Sequence, residues 1–71
     1  MNIIEITQEP VELYKILKFE GLVGSGGEAK SVIDQQLVKV NGEIETRRRK
    51  KMLTGDTMEF CGEIYRLILK V

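Results

Sequence analysis

Three features of the sequence predict an α+β fold, two short helices packed on a small, mainly antiparallel sheet. Apolar residues recur at helical spacing in the first half, at Leu13, Ile16 and Leu17 and again at Ala29, Val32 and Ile33. From Val38 onward the period drops to two, with turn signals at Asn41-Gly42, Gly55-Asp56 and Gly62-Glu63 between short alternating runs. A length of 71 residues leaves room for one modest core, so residues 1–71 read as a single domain.

The first element is a brief strand at Ile3, Ile4 and Ile6, where branched aliphatics cluster. Thr7-Gln8-Glu9-Pro10 leads into a helix predicted over 10–20, because proline's missing N–H is not needed in a first turn. Gly21 can take the left-handed conformation that ends a helix, and Leu22 can fold back onto its last turn. Ser25-Gly26-Gly27-Glu28 has the spacing of a capping box and opens a second helix over 26–36, with Gln36 or Leu37 closing its apolar face.

Val38 and Val40 flank Lys39 in the next strand, Asn41-Gly42 turns the chain, and Glu43 to Thr46 returns beside it. The run Arg47-Arg48-Arg49-Lys50-Lys51 follows directly. Thr57 to Cys61 forms a strand with Met58 and Phe60 on one side, and Ile64 to Val71 forms the last, with Tyr65, Leu67, Leu69 and Val71 on one face. Phe19, Phe60 and Tyr65 read as core or core-edge residues, which makes stacking on single-stranded bases a minor mode and leaves Tyr14 as the one aromatic candidate for it.

Catalysis finds little support. Histidine is absent, which removes the usual general base, the imidazole of a nucleophilic triad and the commonest transition-metal ligand. Cys61 is the only cysteine; no intrachain disulfide or CxxC site can form, and a lone cysteine in an apolar strand reads as a buried packing residue. Glu43 and Glu45 share a strand face beside a turn, where acids serve solvation more often than acid–base work. Gly24-Ser25-Gly26-Gly27 has neither P-loop nor dinucleotide-fold spacing. No enzyme activity, cofactor or metal is expected. The chain shows no secretory leader and no apolar run near the roughly 20 residues of a membrane span, so a soluble protein of the reducing cytoplasm is expected.

The overall formal charge is zero, yet its distribution is uneven: residues 1–27 carry net −2, residues 28–51 net +3 and residues 52–71 net −1. A run of cations is usually a solvated edge, and in a regular strand positions 47, 49 and 51 face away from 48 and 50. Three consecutive arginines nevertheless suit bidentate phosphate contacts. The free N–H groups of Gly26 and Gly27 at the second helix start offer a rest for one phosphate, a reading that stands level with a merely tight turn into the helix. A positive surface joining Lys15, Lys18, Lys30 and Arg47, Arg48, Arg49, Lys50 and Lys51 is the functional expectation.

Four segments in this order resemble a known family: Leu17-Lys18-Phe19-Glu20-Gly21-Leu22-Val23, Ser25-Gly26-Gly27-Glu28-Ala29-Lys30, Val38-Lys39-Val40-Asn41-Gly42-Glu43, and Lys51 through Phe60. Residues 12–60 are similar to the RNA-binding domain named after small-subunit ribosomal protein S-four, the αL RNA-binding motif, and most of all to its short stand-alone bacterial members. The resemblance implies binding of structured RNA, commonly ribosomal or transfer RNA; the expected partners are structured RNA and the ribosome or its assembly intermediates, and the expected state is a monomer. It carries binding roles onto Ser25, Lys30, Lys39, Asn41 and the Arg47–Lys51 run.

Three departures stand out. Glu12-Leu13-Tyr14 replaces an Arg-Leu-Asp common in relatives, Gly26 stands where many carry arginine, and Gln36 replaces the glycine that usually closes the second helix, at a cost of about 1 kcal/mol. The competing expectation is a protein-docking adaptor whose basic run meets an acidic partner. A ubiquitin-like carrier is disfavoured by the ending Leu69-Lys70-Val71, and charge alone does not separate RNA from DNA.

Overall fold

The computed structural model describes residues 1–70. Its elements run β1 (Asn2–Ile6), β2 (Val11–Glu12), α1 (Leu13–Phe19), α2 (Gly26–Asp34), β3 (Val38–Val40), β4 (Glu43–Ile44), β5 (Lys51–Met52), β6 (Thr57–Phe60) and β7 (Glu63–Leu69). The main sheet has the order β1-β7-β6-β3-β4, antiparallel throughout except for the parallel β1–β7 pair, and β2 and β5 form a separate antiparallel ladder. Both helices and the mainly antiparallel sheet are as expected. The expected placement of Val71 on the last strand lies outside the described residues.

Strand alternation sends Ile4, Ile6, Val38, Val40, Met58, Phe60 and Leu67 to one face of the sheet, where all are buried. Leu13, Ile16 and Leu17 of α1 and Ala29 and Ile33 of α2 cover that face, with Val23 and Met52 completing the same core. The 3.6-residue stripe and the two-residue stripe thus meet, which is the physical reason this pattern folds as helices on a sheet. No polar side chain is buried among the described residues, so the core holds no site for chemistry.

Local chemistry sets most of the boundaries. Gly21 has φ +70°, the Gly21 N–H donates to the Lys18 carbonyl at 3.1 Å, and the Leu22 N–H donates to that of Leu17 at 3.0 Å, a Schellman closure of α1. α2 closes in the same way through Gln36, which takes φ +64° without being glycine, while the Leu37 N–H reaches the Val32 carbonyl at 3.1 Å. Asn41 and Gly42, with φ +51° and +85°, make the two-residue hairpin turn.

Four expectations are corrected. Pro10 does not lie in the first turn of α1; it follows a cis peptide bond and precedes β2, and the helix begins only at Leu13. The first helical N–H groups, those of Leu13 and Tyr14, donate to the carbonyls of Lys50 and Arg48 at 2.9 and 3.1 Å, so the basic run supplies the cap. The strand expected to reach Thr46 ends at Ile44. Cys61 is exposed, because Cys61 and Gly62, with φ +53° and +79°, form the turn between β6 and β7. Phe19 is 68% exposed, because it falls off the Leu13–Ile16–Leu17 stripe.

Candidate nucleic-acid interface

Four of the five basic residues, Arg47 to Lys50, sit in a turn, and Lys51 opens β5. β4 ends before them, the Lys50 N–H closes onto the Arg47 carbonyl at 3.1 Å, and β5 starts only at Lys51. Turning releases the side chains from strand alternation, and Arg47, Arg49, Lys50 and Lys51 come to line one open recess of about 410 Å³. The same turn is fastened to the start of α1 by the two backbone hydrogen bonds that cap it.

Tyr14 links this turn to α2. Its half-buried ring packs against the core, with Lys30 Nζ 4.8 Å and Arg49 Cζ 5.9 Å from the ring centroid. Each is a cation–π contact, worth about 0.5–1 kcal/mol at an exposed site, that holds a long flexible cation in place. The sequence marks Tyr14 only as a stacking candidate; the only sequence sign of this role is its place beside the apolar stripe of α1.

At the start of α2 the Ser25 hydroxyl accepts from the Glu28 N–H at 3.1 Å, as a capping residue should, while the Glu28 carboxylate lies over Gly24. The Gly26 and Gly27 N–H groups have no partner among the described residues. A Cβ at Gly26 would meet only the Lys18 stem at 3.9 Å, and one at Gly27 the Ser25 hydroxyl at 3.8 Å, both ordinary contacts. Packing therefore does not demand glycine at either place. Lys18 lies over this helix start, and Lys30 follows one turn later.

Acids neutralise part of the patch. Arg47 donates through Nε and Nη2 to both oxygens of Glu45, each at 2.9 Å, and its backbone N–H adds a third bond at 2.9 Å. These hydrogen bonds hold the Glu45 carboxyl at about 2, against an ordinary 4.5. Arg48 grips the Asp34 carboxylate through Nε, at 3.0 Å, and Nη2, and lowers that carboxyl as well. Asp34 is the last residue of α2, where a negative charge opposes the helix dipole, and Arg48 offsets it.

Three expected residues stand apart from the patch or are otherwise engaged. Lys15 pairs with Glu12 at 3.2 Å. Lys39 points away from the helices, since its neighbours Val38 and Val40 are the buried ones, and lies beside Glu59 and Ile44 on the outer sheet face. The Asn41 amide donates to Asp56 at 3.2 Å and accepts from the Thr57 N–H at 2.9 Å, which ties the hairpin turn to the start of β6. The structure brings together Lys18, Ser25, Gly26, Gly27 and Lys30 around the α2 start and Arg47 to Lys51 in the turn, with Tyr14 between the two groups in the chain of contacts.

The family model of the S4 domain matches residues 4–68. "Putative RNA-binding protein YbcJ" of Escherichia coli (strain K12) is 43% identical over 58 residues, covering 82% of this chain and 83% of the relative. "Probable ribosome maturation protein RlbA" of Bacillus subtilis (strain 168) is 38% identical over 61 residues, 86% of each chain. The solution structure of YbcJ from E. coli, described as revealing an αL motif involved in RNA-binding, superposes with a TM-score of 0.71 at 39% identity, covering 96% of this chain and 87% of that one.

Proposed function

This chain belongs to the S4 domain family, and from that premise we propose that it is a non-enzymatic, cytoplasmic, monomeric module that binds structured RNA. One observation carries the reading. Lys30 of α2 and Arg49 of the basic turn, far apart in sequence, lie 4.8 and 5.9 Å from the Tyr14 ring centroid, so one side chain joins the two groups of cations. Arg49, Lys50, Lys51, Lys30 and Lys18 are the phosphate-contacting side chains. Arg47 and Arg48 engage once RNA competes with Glu45 and Asp34 for their guanidinium groups.

The N–H groups of Gly26 and Gly27 hold one phosphate at the positive end of α2, with Ser25 fixing their direction. That glycine is not required there by packing supports this reading over a merely tight turn. Binding of this kind reads the spacing of phosphates in folded RNA and leaves base identity largely unread. The name of the B. subtilis relative, "Probable ribosome maturation protein RlbA", supports ribosomal RNA on assembling subunits as the target.

Crosslinking the protein to RNA in cells and sequencing the attached fragments tests the proposal. Enrichment of a discrete ribosomal or transfer RNA region is expected, lost on replacing Arg49, Lys50 and Lys51 by alanine. An interaction partner recovered equally after RNase treatment, with no enriched RNA, would support the protein-docking adaptor in its place.

A further inference from the structure

A second surface lies between β1 and α1, on the acidic N-terminal third of the chain, and Val11 and Phe19 at its border also line a recess with Lys15 and Lys51. β1 ends the sheet order and so has one unpaired edge. The Ile6 carbonyl accepts from the Lys70 N–H at 2.8 Å on the β7 side. By strand alternation, Ile3 and Glu5 therefore turn their N–H and C=O groups outward, away from β7. Beside this edge, between β1 and α1, runs a groove of about 190 Å³ walled by Ile4, Ile6, Val11, Ile16 and Phe19. That exceeds the roughly 150 Å³ that accommodates a benzene ring. Phe19, 68% exposed, is unexplained by the core and forms one wall.

The rim of the groove is acidic. Glu5 and Glu20 both line it, and the Glu5 side chain is 61% exposed with Lys70 Nζ at the outer limit of pairing, 4.0 Å. A strand added to β1 alternates its side chains, one set entering the groove beside Ile4 and Ile6 and the other lying beside Ile3 and Glu5.

We propose that the free β1 edge and its groove dock an extended cationic segment of a partner protein, which adds a strand to the sheet, seats one apolar side chain against Phe19 and sets lysine or arginine against Glu5 and Glu20. A second copy of this chain fits poorly, since it would bring the same acids face to face. RNA fits poorly for the same reason. The groove's own charged lining, Glu5 and Glu20, is opposite in sign to the basic turn of the RNA-binding reading, so partner and RNA bind side by side.

The probe is a labelled heptapeptide alternating lysine with valine, titrated into the full chain. Saturable binding is expected, with the backbone amide signals of Ile3, Glu5 and Thr7 shifting most. A Glu5→Lys, Glu20→Lys double variant should weaken binding about tenfold, whereas Glu43→Lys, at the far sheet edge, should leave it unchanged. A peptide N-methylated on every residue should not bind, because neither of its edges can then donate hydrogen bonds to the strand. Equal binding of the methylated peptide, shifts centred on Arg49 to Lys51, displacement by RNA, or concentration-dependent self-association through β1 would each overturn the proposal.

Discussion

Glu45 and Asp34 each hold one arginine of the basic turn, and each can be neutralised without changing its size. Glu45→Gln and Asp34→Asn remove a competitor for Arg47 and Arg48 and add one positive charge to the surface. Both are expected to raise affinity for a structured RNA, about twofold to fivefold at low salt, measured by filter binding. An unchanged or lower affinity would place these arginines outside the contact surface. Tyr14→Leu keeps an apolar side chain against the core but removes the ring on which Lys30 and Arg49 rest. About 1 kcal/mol of binding, roughly fivefold, should go with it while the unfolding midpoint stays close to wild type.

The helix closures and the basic turn are testable as elements. Gln36 adopts φ +64° at the end of α2, where a side chain is strained, so Gln36→Gly should stabilise the fold by about 0.5–1 kcal/mol in urea unfolding. In the basic turn, the Glu45 carboxyl sits at about 2 in the folded chain, below its ordinary 4.5. A depressed carboxylate stabilises the fold above its unfolded value and loses that contribution as pH falls. Stability should therefore drop between pH 4.5 and about 2, and Glu45→Gln should flatten that part of the profile.

Elements governed by near neighbours were legible in the sequence. The Ser25 hydroxyl on the Glu28 N–H, Gly21 with Leu22, and Asn41-Gly42 each act within a few residues and lie where their chemistry requires, while the expected return bond from the Ser25 N–H to the Glu28 carboxylate is not made among the described residues. The start of α1 was not legible, because its cap comes from carbonyls at Arg48 and Lys50, more than thirty residues on. Asp34 with Arg48 is likewise a tertiary pairing, whereas the exposure of Phe19 was legible, since it falls off the Leu13–Ile16–Leu17 stripe. The turn at Cys61 could have been read, since Cys61-Gly62 offers the same positive-φ pair as Asn41-Gly42, but the apolar run before it suggested a longer strand.

Across the whole molecule, a chain of zero net charge separates its charges in space. The α2 start, Tyr14 and the basic turn gather one group of cations, the groove between β1 and α1 is lined by Glu5 and Glu20, and the outer sheet face holds Lys39 with Glu59. In the proposed reading, long-range attraction to RNA comes from the local surface and is screened within about 10 Å at 0.1 M salt. The individual cations of that surface matter, since no net charge supports them. If about four phosphates are neutralised, log K should fall against log salt with a slope near −3.

That slope, measured for a transfer RNA probe with the wild type and with an Arg49→Ala, Lys50→Ala, Lys51→Ala variant of equal fold stability, tests the central claim most directly. The account predicts a slope near −3 for the wild type, flattening to about −1 in the variant, with weaker binding across RNA sequences. Equal slope and equal affinity in the two proteins would contradict it.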